Sequence, residues 1–382
     1  MGRSTAARPT LARVAELAGV SVSTASLAFS GAGPITAETR DKVLAAAAEL
    51  GYHGPNPLGR QLRSGRSGIV GVVIGDQPGR AFRDPVAVKV LDGLVDVLGT
   101  EGLGVLLIPG VRGAAAPARA DDGTTPAAPV PAVDPLLESA AMDVAVLVWG
   151  VLRDDATLAA LRRRDVPVVV GEGGRVDGAP LVALDDRAGT ALAVRHLKEL
   201  GHTRIAEITL PLDAVERSGP IDAARLAQAD RTSTRHRLDG VRDEVEPVIS
   251  WETPASLVEH GRDAATEILG AWVPETERPT AIVAHSDLLA AGAVIAAREL
   301  GLRVPDDVSI AGFDGIDLPW LSPDVLTSVH QPLQAKGAAL GRAVLGVLAG
   351  EEPTCTTLPV ELVPGTTTGP VPAAVRPADA QA

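Results

Sequence analysis

Residues 10–31 read TLARVAELAGVSVSTASLAFSG and follow the local rules of two short helices joined by a tight turn. Thr10 is placed to cap the first helix, in which Leu11, Val14, Ala15 and Ala18 keep the i, i+3, i+4, i+7 spacing of an amphipathic stripe. Gly19 ends it, because glycine tolerates the left-handed conformation of a helix C-cap. Ser21 caps a second helix over residues 22–29, and the run Ser30-Gly31-Ala32-Gly33-Pro34 breaks the chain. Thr36 opens a third helix, with Val43, Leu44, Ala47 and Leu50 as its buried stripe and Gly51 as its stop. Three short helices with a tight first turn have the sequence form of a helix-turn-helix. The second helix presents Val22, Ser23, Thr24, Ser26 and Leu27 near its start, side chains small enough to approach a major groove. A three-helix module for protein contact would use the same pattern, so the geometry alone leaves both uses open.

Charge separates this stretch from the rest. The 382 residues carry a formal net charge of −13, which taken whole argues against a nucleic-acid partner. Residues 1–66, however, hold eight basic and four acidic side chains, while the remainder holds 27 basic and 44 acidic. A basic module of +4 is thus attached to an acidic body of −17. The single cysteine, Cys355, excludes a disulfide framework and a multi-cysteine metal site and fits a reducing compartment. No run of about 18 apolar residues occurs, so no membrane span is expected. The N-terminus lacks a continuous apolar signal-like core, and the chain is expected to be cytoplasmic.

From residue 67 onward, short apolar runs alternate with helical patterns. Strands are expected over 69–74, 105–108, 144–149, 166–170, 205–209, 280–284 and 308–313, with helices over 86–99, 155–164, 187–200, 257–269, 287–300 and 333–348. Continuous apolar strands between helices indicate parallel sheets covered on both faces, and more than 300 residues are too many for one lobe. Residues 112–135, rich in Ala and Pro, and the tail over 370–382 read as flexible segments. Ligands of open parallel sheets sit beyond the carboxyl ends of strands. That rule selects Trp149, Glu172, Ser286, Asp287 and Asp314; Asp287 is expected to act structurally, as a helix cap.

Three ordered segments, TLARVAELAGVSVSTASLAFSG, ITAETRDKVLAAAAELGY and HGPNPLGRQLRSGRSGIVGVVI, resemble the N-terminus of LacI-family transcriptional repressors from Thr10 to Ile74. The resemblance implies a small all-α helix-turn-helix domain (1–53), a hinge helix or linker (54–67) and an α/β two-lobed, periplasmic-binding-protein-like type I domain with parallel sheets (68–369). In that fold the chain crosses between lobes three times. The resemblance further implies a homodimer on a double-stranded DNA operator and a small-molecule effector, sugar-like, in the cleft. Its DNA-binding residues would be Thr10, Ser21, Val22, Ser23, Thr24, Ser26 and Leu27, with Asn56, Gly59 and Leu62 in the hinge. Leu62 would wedge into the minor groove, where an apolar side chain unstacks a base step. Leu27 stands where many relatives carry a guanine-reading arginine, and Gly59 replaces a usual alanine, which weakens a short helix by about 1 kcal/mol.

The same resemblance adds Arg237, of an R-L-x-G motif, and Phe82 and Arg83, of the loop Phe82-Arg83-Asp84-Pro85 that borders the cleft, to the effector residues Trp149, Glu172, Ser286 and Asp314. An arginine and an aspartate on opposing walls would clamp a polyhydroxylated ligand; an inter-lobe salt bridge is the structural alternative. Trp149 could stack on a ligand or pack the lobes together. Trp251 and Trp320 fall in loops and are weaker candidates. No nucleophile elbow, P-loop, zinc-protease or dinucleotide motif occurs, and the seven histidines are scattered, so neither enzyme activity, metal nor cofactor is expected. Two alternatives stay open: a regulator with a decayed or retuned effector site, prompted by Pro364 and Gly365 where relatives often have arginine, and a solute-binding protein.

Overall fold

A computed structural model of the chain describes residues 9–30, 33–54, 65–74, 81–110, 133–150, 155–270 and 277–372. The expected hinge residues Asn56, Gly59 and Leu62, most of the 112–135 insertion and most of the 370–382 tail lie outside them. The chain divides into two units, residues 1–68 and 69–382.

The first unit is built on α1 (Leu11–Ala18), α2 (Val22–Ser30) and α3 (Ala37–Glu49). Thr10 Oγ1 accepts from the Arg13 amide at 3.4 Å, Ser21 Oγ from the Thr24 amide at 3.1 Å and Thr36 Oγ1 from the Thr39 amide at 3.3 Å. Each hydroxyl satisfies an amide that the first helical turn leaves without a partner. Gly19 turns the chain between α1 and α2 at φ 68°. Val14, Ala15, Ala25, Ala28, Val43, Ala46 and Ala47 form a small core, and Phe29 meets Tyr52 edge-on with ring centroids 5.5 Å apart. Leu44 is exposed, and Ala46 takes the buried place expected of it. The i, i+3, i+4, i+7 set that starts at Val43 is 43, 46, 47, 50, and Leu44 lies one residue off that stripe.

The second unit holds two sheets. One contains β1 (Ile69–Val73), β2 (Gly104–Ile108), β3 (Val144–Leu147), β4 (Val168–Gly171), β5 (Leu181–Leu184) and β12 (Cys355–Leu358), in the order β12-β5-β4-β3-β1-β2. The other contains β6 (Ile205–Thr209), β7 (Gly219–Pro220), β8 (Ile249–Glu252), β9 (Ala281–Ala284), β10 (Ser309–Asp314), β11 (Thr327–His330) and β13 (Glu361–Val363), in the order β13-β11-β10-β9-β6-β8-β7. Pairing is parallel throughout except where β7 and β13 join their edges antiparallel. The chain passes from first lobe to second after β5, returns after β11 and passes again after β12, three crossings as the fold requires.

Helices cover both faces of each sheet, which is why the strands are apolar without alternation. On the first lobe, α4 (Pro85–Thr100) and α12 (Leu333–Ala349) bury Val70, Val72, Val144 and Val146 beneath Leu94, Leu98 and Leu340. On the opposite face Ala145, Leu147 and Val170 pack with Leu137 of α5 (Pro135–Ser139) and Leu161 of α6 (Ala156–Arg163). In the second lobe, α10 (Val258–Leu269) and α11 (Asp287–Glu299) cover one face, and α7 (Asp186–Glu199) and α9 (Thr232–Arg242) the other. The short α8 spans Ala223–Leu226. At the α4–α12 crossing, a Cβ on Gly337 would collide with the Val90 carbonyl and one on Gly93 with the Gln334 carbonyl. Backbone meets backbone there, and this holds α12 against the sheet that carries the site.

Candidate functional site

Between the lobes lies a cavity of about 180 Å³. Its first-lobe wall includes Ile74, Asp84, Trp149 and Glu172; its second-lobe wall includes Leu210, Arg237, Ser286 and Asp314. Five of the seven effector candidates therefore meet in one place: Trp149, Glu172, Arg237, Ser286 and Asp314. The strand-end rule works because β3, β4, β9 and β10 all point their carboxyl ends at the gap. Glu172 and Asp314 are held there at φ 53° and 128°, conformations that non-glycine residues avoid unless the surroundings impose them.

A buried polar chain joins the walls. Lys336 of α12 forms an ion pair with Glu172 and donates to Gln331 Oε1 at 2.7 Å. Gln331, at the second crossing, donates through Nε2 to Asp314 Oδ1 at 2.7 Å, and Asp314 lies 3.7 Å from Arg237 Nη1. Arg237 Nε donates to Asp186 Oδ1 at 2.8 Å, and Nη1 to the His285 carbonyl at 2.5 Å; the guanidinium stacks 3.8 Å from the Phe313 ring centroid. Lys336 also sits 5.3 Å from the Trp149 ring centroid. Trp149 lines the cavity and packs, partly buried, against the first-lobe core.

Carboxylates outnumber cations here, and burial sets their chemistry. Desolvation pushes Asp84 up to about 6, against the Val86 amide and Lys336. Burial likewise lifts Asp314 well above the usual carboxylate range, opposed by Arg237 and reinforced by Asp287 and Asp84. Burial opposes the charge of Arg237, yet Asp186, Asp314 and Glu172 hold its pKa above the ordinary value.

Several expectations are corrected. Phe82 and Arg83 do not line the cavity: Phe82 is 57% exposed, and Arg83 reaches over the rim to Glu259 of α10 at 2.8 Å. The side chain their loop turns inward is Asp84, whose Oδ1 caps α4 by accepting from the Val86 amide at 2.9 Å. The cap of α11 is Ser286, not Asp287; Asp287 accepts from the Ile316 amide at 2.9 Å and Ser328 Oγ at 2.6 Å, a structural role of another kind. Asp185 caps α7, accepting from the Ala188 amide, and the adjacent Asp186 is the buried partner of Arg237. Trp251 lies in β8 rather than a loop, and Trp320 is exposed; neither lines the cavity. His285 has a carboxylate partner, Glu207, at 3.1 Å, both fully buried beneath the cavity.

Sequence reasoning passed over Asp84, Asp186, Gln331 and Lys336. One signal was present for Lys336: the chain has four lysines, and this one interrupts the apolar face of QAKGAAL. In the first unit, Ser21, Val22 and Ser23 are exposed at the start of α2, while Thr24, Ser26 and Leu27 are half-buried. Leu27 lies toward Gly33.

Residues 10–56 match the bacterial regulatory proteins of the lacI family, and residues 194–368 a periplasmic binding protein-like domain. The HTH-type transcriptional regulator IpsA of Corynebacterium glutamicum is 31% identical over 373 residues, covering 95% of this chain and 98% of that protein. The chain belongs to the LacI family of DNA-binding transcription regulators. A crystal structure of a LacI-family regulator from C. glutamicum superposes with a TM-score of 0.66 at 26% identity, covering 94% of this chain and 98% of that one. A CelR–cellobiose complex superposes at 0.61 and 26%, covering 94% and 100%. The relatives are regulators and not enzymes, and so is this LacI-family protein. Family membership also sets aside the solute-binding alternative. Among the described residues, no helix is long and apolar enough to cross a membrane.

Proposed function

We propose that this regulator is a ligand-responsive repressor that binds a pseudo-palindromic operator as a homodimer, its operator affinity set by a small polyhydroxylated molecule in the inter-lobe cavity. The observation that carries this reading is the buried chain from Glu172 through Lys336, Gln331 and Asp314 to Arg237, which runs from one wall of the cavity to the other. A ligand whose hydroxyls donate to Asp84 and Asp314 while accepting from Arg237 would bind both lobes at once, and so favour one relative orientation of them. The excess of carboxylate favours a neutral or cationic ligand over an anionic one. That a relative of like fold, CelR, forms a complex with cellobiose supports a carbohydrate or polyol.

Residues 1–53, 54–67 and 68–369 act in this reading as DNA reader, hinge and sensor. The reader would use Thr10, Ser21, Val22, Ser23, Thr24, Ser26 and Leu27 of the first unit, and the hinge Asn56, Gly59 and Leu62. Pro364 and Gly365, which prompted the idea of a decayed site, do not line the cavity; a side chain at Gly365 would strike the Val325 carbonyl, so glycine is a packing requirement there. A thermal-shift screen of neutral sugars and polyols, with glucose 6-phosphate as the anionic control, tests the reading. Saturable stabilisation by a neutral compound, reduced in Asp314→Asn, is expected; stabilisation by none, or by the phosphate ester alone, contradicts it.

A further inference from the structure

Outside the ligand cavity, a second groove of about 640 Å³ also spans both lobes. Arg162 of α6 and Arg175 of the segment after β4 stand on the first lobe, and Arg235 of α9 on the second. All three are exposed. The body around them holds 27 basic against 44 acidic side chains, and among the described residues several of its other arginines are tied into ion pairs. Arg187–Asp243, Arg195–Glu244, Arg225–Glu252, Arg242–Glu207, Arg262–Glu299 and Arg303–Asp307 are examples. Among the described residues Arg162 and Arg175 have no such partner, and Arg235 donates only to the Ala229 carbonyl, at 3.3 Å. Two carboxylates, Asp177 and Asp230, stand at the same groove, leaving its lining one positive charge in excess.

We propose that this groove is a second ligand site, for a phosphorylated small molecule, distinct from the cavity. A guanidinium presents paired N–H donors that match phosphate oxygens, and three from three elements can engage two phosphate groups at once. The groove volume lies in the range of small-molecule sites, and its lining carries three exposed arginines where the cavity pairs buried carboxyls with buried cations, so the two sites select different ligands. The sites share an element: Arg231, Ser233, Thr234 and Arg237 face the cavity, whereas Asp230, Thr232 and Arg235 face the groove. An anion bridging Arg235 to Arg162 and Arg175 ties the start of α9 to the first lobe and is coupled to whatever fills the cavity.

The test is isothermal titration of the full-length protein with fructose 1,6-bisphosphate, with fructose and sodium chloride at matched ionic strength as controls. Saturable binding of the bisphosphate alone is expected, at least tenfold weaker in the double variant Arg162→Ala/Arg175→Ala and unchanged in Asp84→Asn of the cavity. Absence of saturable binding, equal affinity for fructose, or equal affinity in the double variant overturns the proposal. Loss of binding in Asp84→Asn with retention in the arginine variant places the anion in the cavity and overturns it equally. The inference does not depend on what the cavity binds.

Discussion

Replacing Arg237 by methionine removes the one cation that Asp186 and Asp314 share. In the native protein its Nε bonds Asp186 at 2.8 Å, its Nη1 bonds the His285 carbonyl at 2.5 Å, and its Nη1 stands 3.7 Å from Asp314. Arg237, Asp186 and Asp314 are all buried, so the two carboxylates lose their shared cation in a poorly solvated setting. Breaking such a buried pair costs about 3–5 kcal/mol, and methionine restores the apolar contact with Phe313 without the charge. In a body of this size that corresponds to a loss of roughly 5–8 °C in the unfolding midpoint. The sign of its pH dependence follows from the carboxylates. Burial already raises Asp186 and Asp314, and losing Arg237 raises both further. The folded variant therefore holds its protons more tightly than the native protein does, and its deficit widens as pH rises above the ordinary carboxylate range. Urea unfolding of native protein and variant at pH 5 and pH 8 measures this. A deficit below about 1 kcal/mol, or one that does not change with pH, refutes the buried-relay reasoning.

Three other outcomes are expected. Asp84→Asn keeps the cap of α4 but removes a carboxyl that burial lifts from 3.8 to about 6, a cost of up to about 3 kcal/mol as the group ionises. Native stability should fall between about pH 4 and pH 7, and the fall should be shallower in the variant when midpoints are compared across that range. Gly337→Ala forces α12 away from the Val90 carbonyl and should cost about 1–3 kcal/mol by chemical unfolding, with Lys336 displaced from the cavity wall and ligand affinity reduced. Leu62→Ala should weaken binding to a footprinted operator while leaving binding in the cavity unchanged, as read by DNA mobility shift and thermal shift on the same preparation.

Much of the fold was readable because local rules and tertiary demands agree. Thr10, Ser21 and Thr36 cap the helices their positions predict, and strands such as Ile205–Thr209 are apolar on both faces because helices cover both. That agreement fails in two of the strands not foreseen, whereas Leu181–Leu184 was passed over although it is a buried apolar run. Cys355–Leu358 is a largely exposed edge strand of CTTL, and Thr327–His330 carries Thr327, whose hydroxyl bonds the 365–368 segment, and Ser328, whose hydroxyl bonds Asp287 and the Gly315 amide. Neither has an apolar run to mark it. The site divides in the same way. Residues at strand ends, such as Glu172 and Asp314, follow from topology. Lys336 and Gln331 do not, because a lysine inside a helix reads as surface until the carboxylate and amide that meet it are known. Asp84 was within the quoted loop, but which of four consecutive side chains turns inward is decided by the cap and Pro85 at the first turn of α4.

The most direct test of the account is the coupling between the cavity and the operator. Operator affinity is measured by fluorescence anisotropy at fixed salt, with and without the neutral compound that most stabilises the protein, and that compound's affinity is measured with and without operator. The two ratios are predicted to differ from one and to equal each other, as thermodynamic linkage requires, and to approach one in Asp314→Asn. A compound that binds the cavity yet leaves operator affinity unchanged contradicts the account.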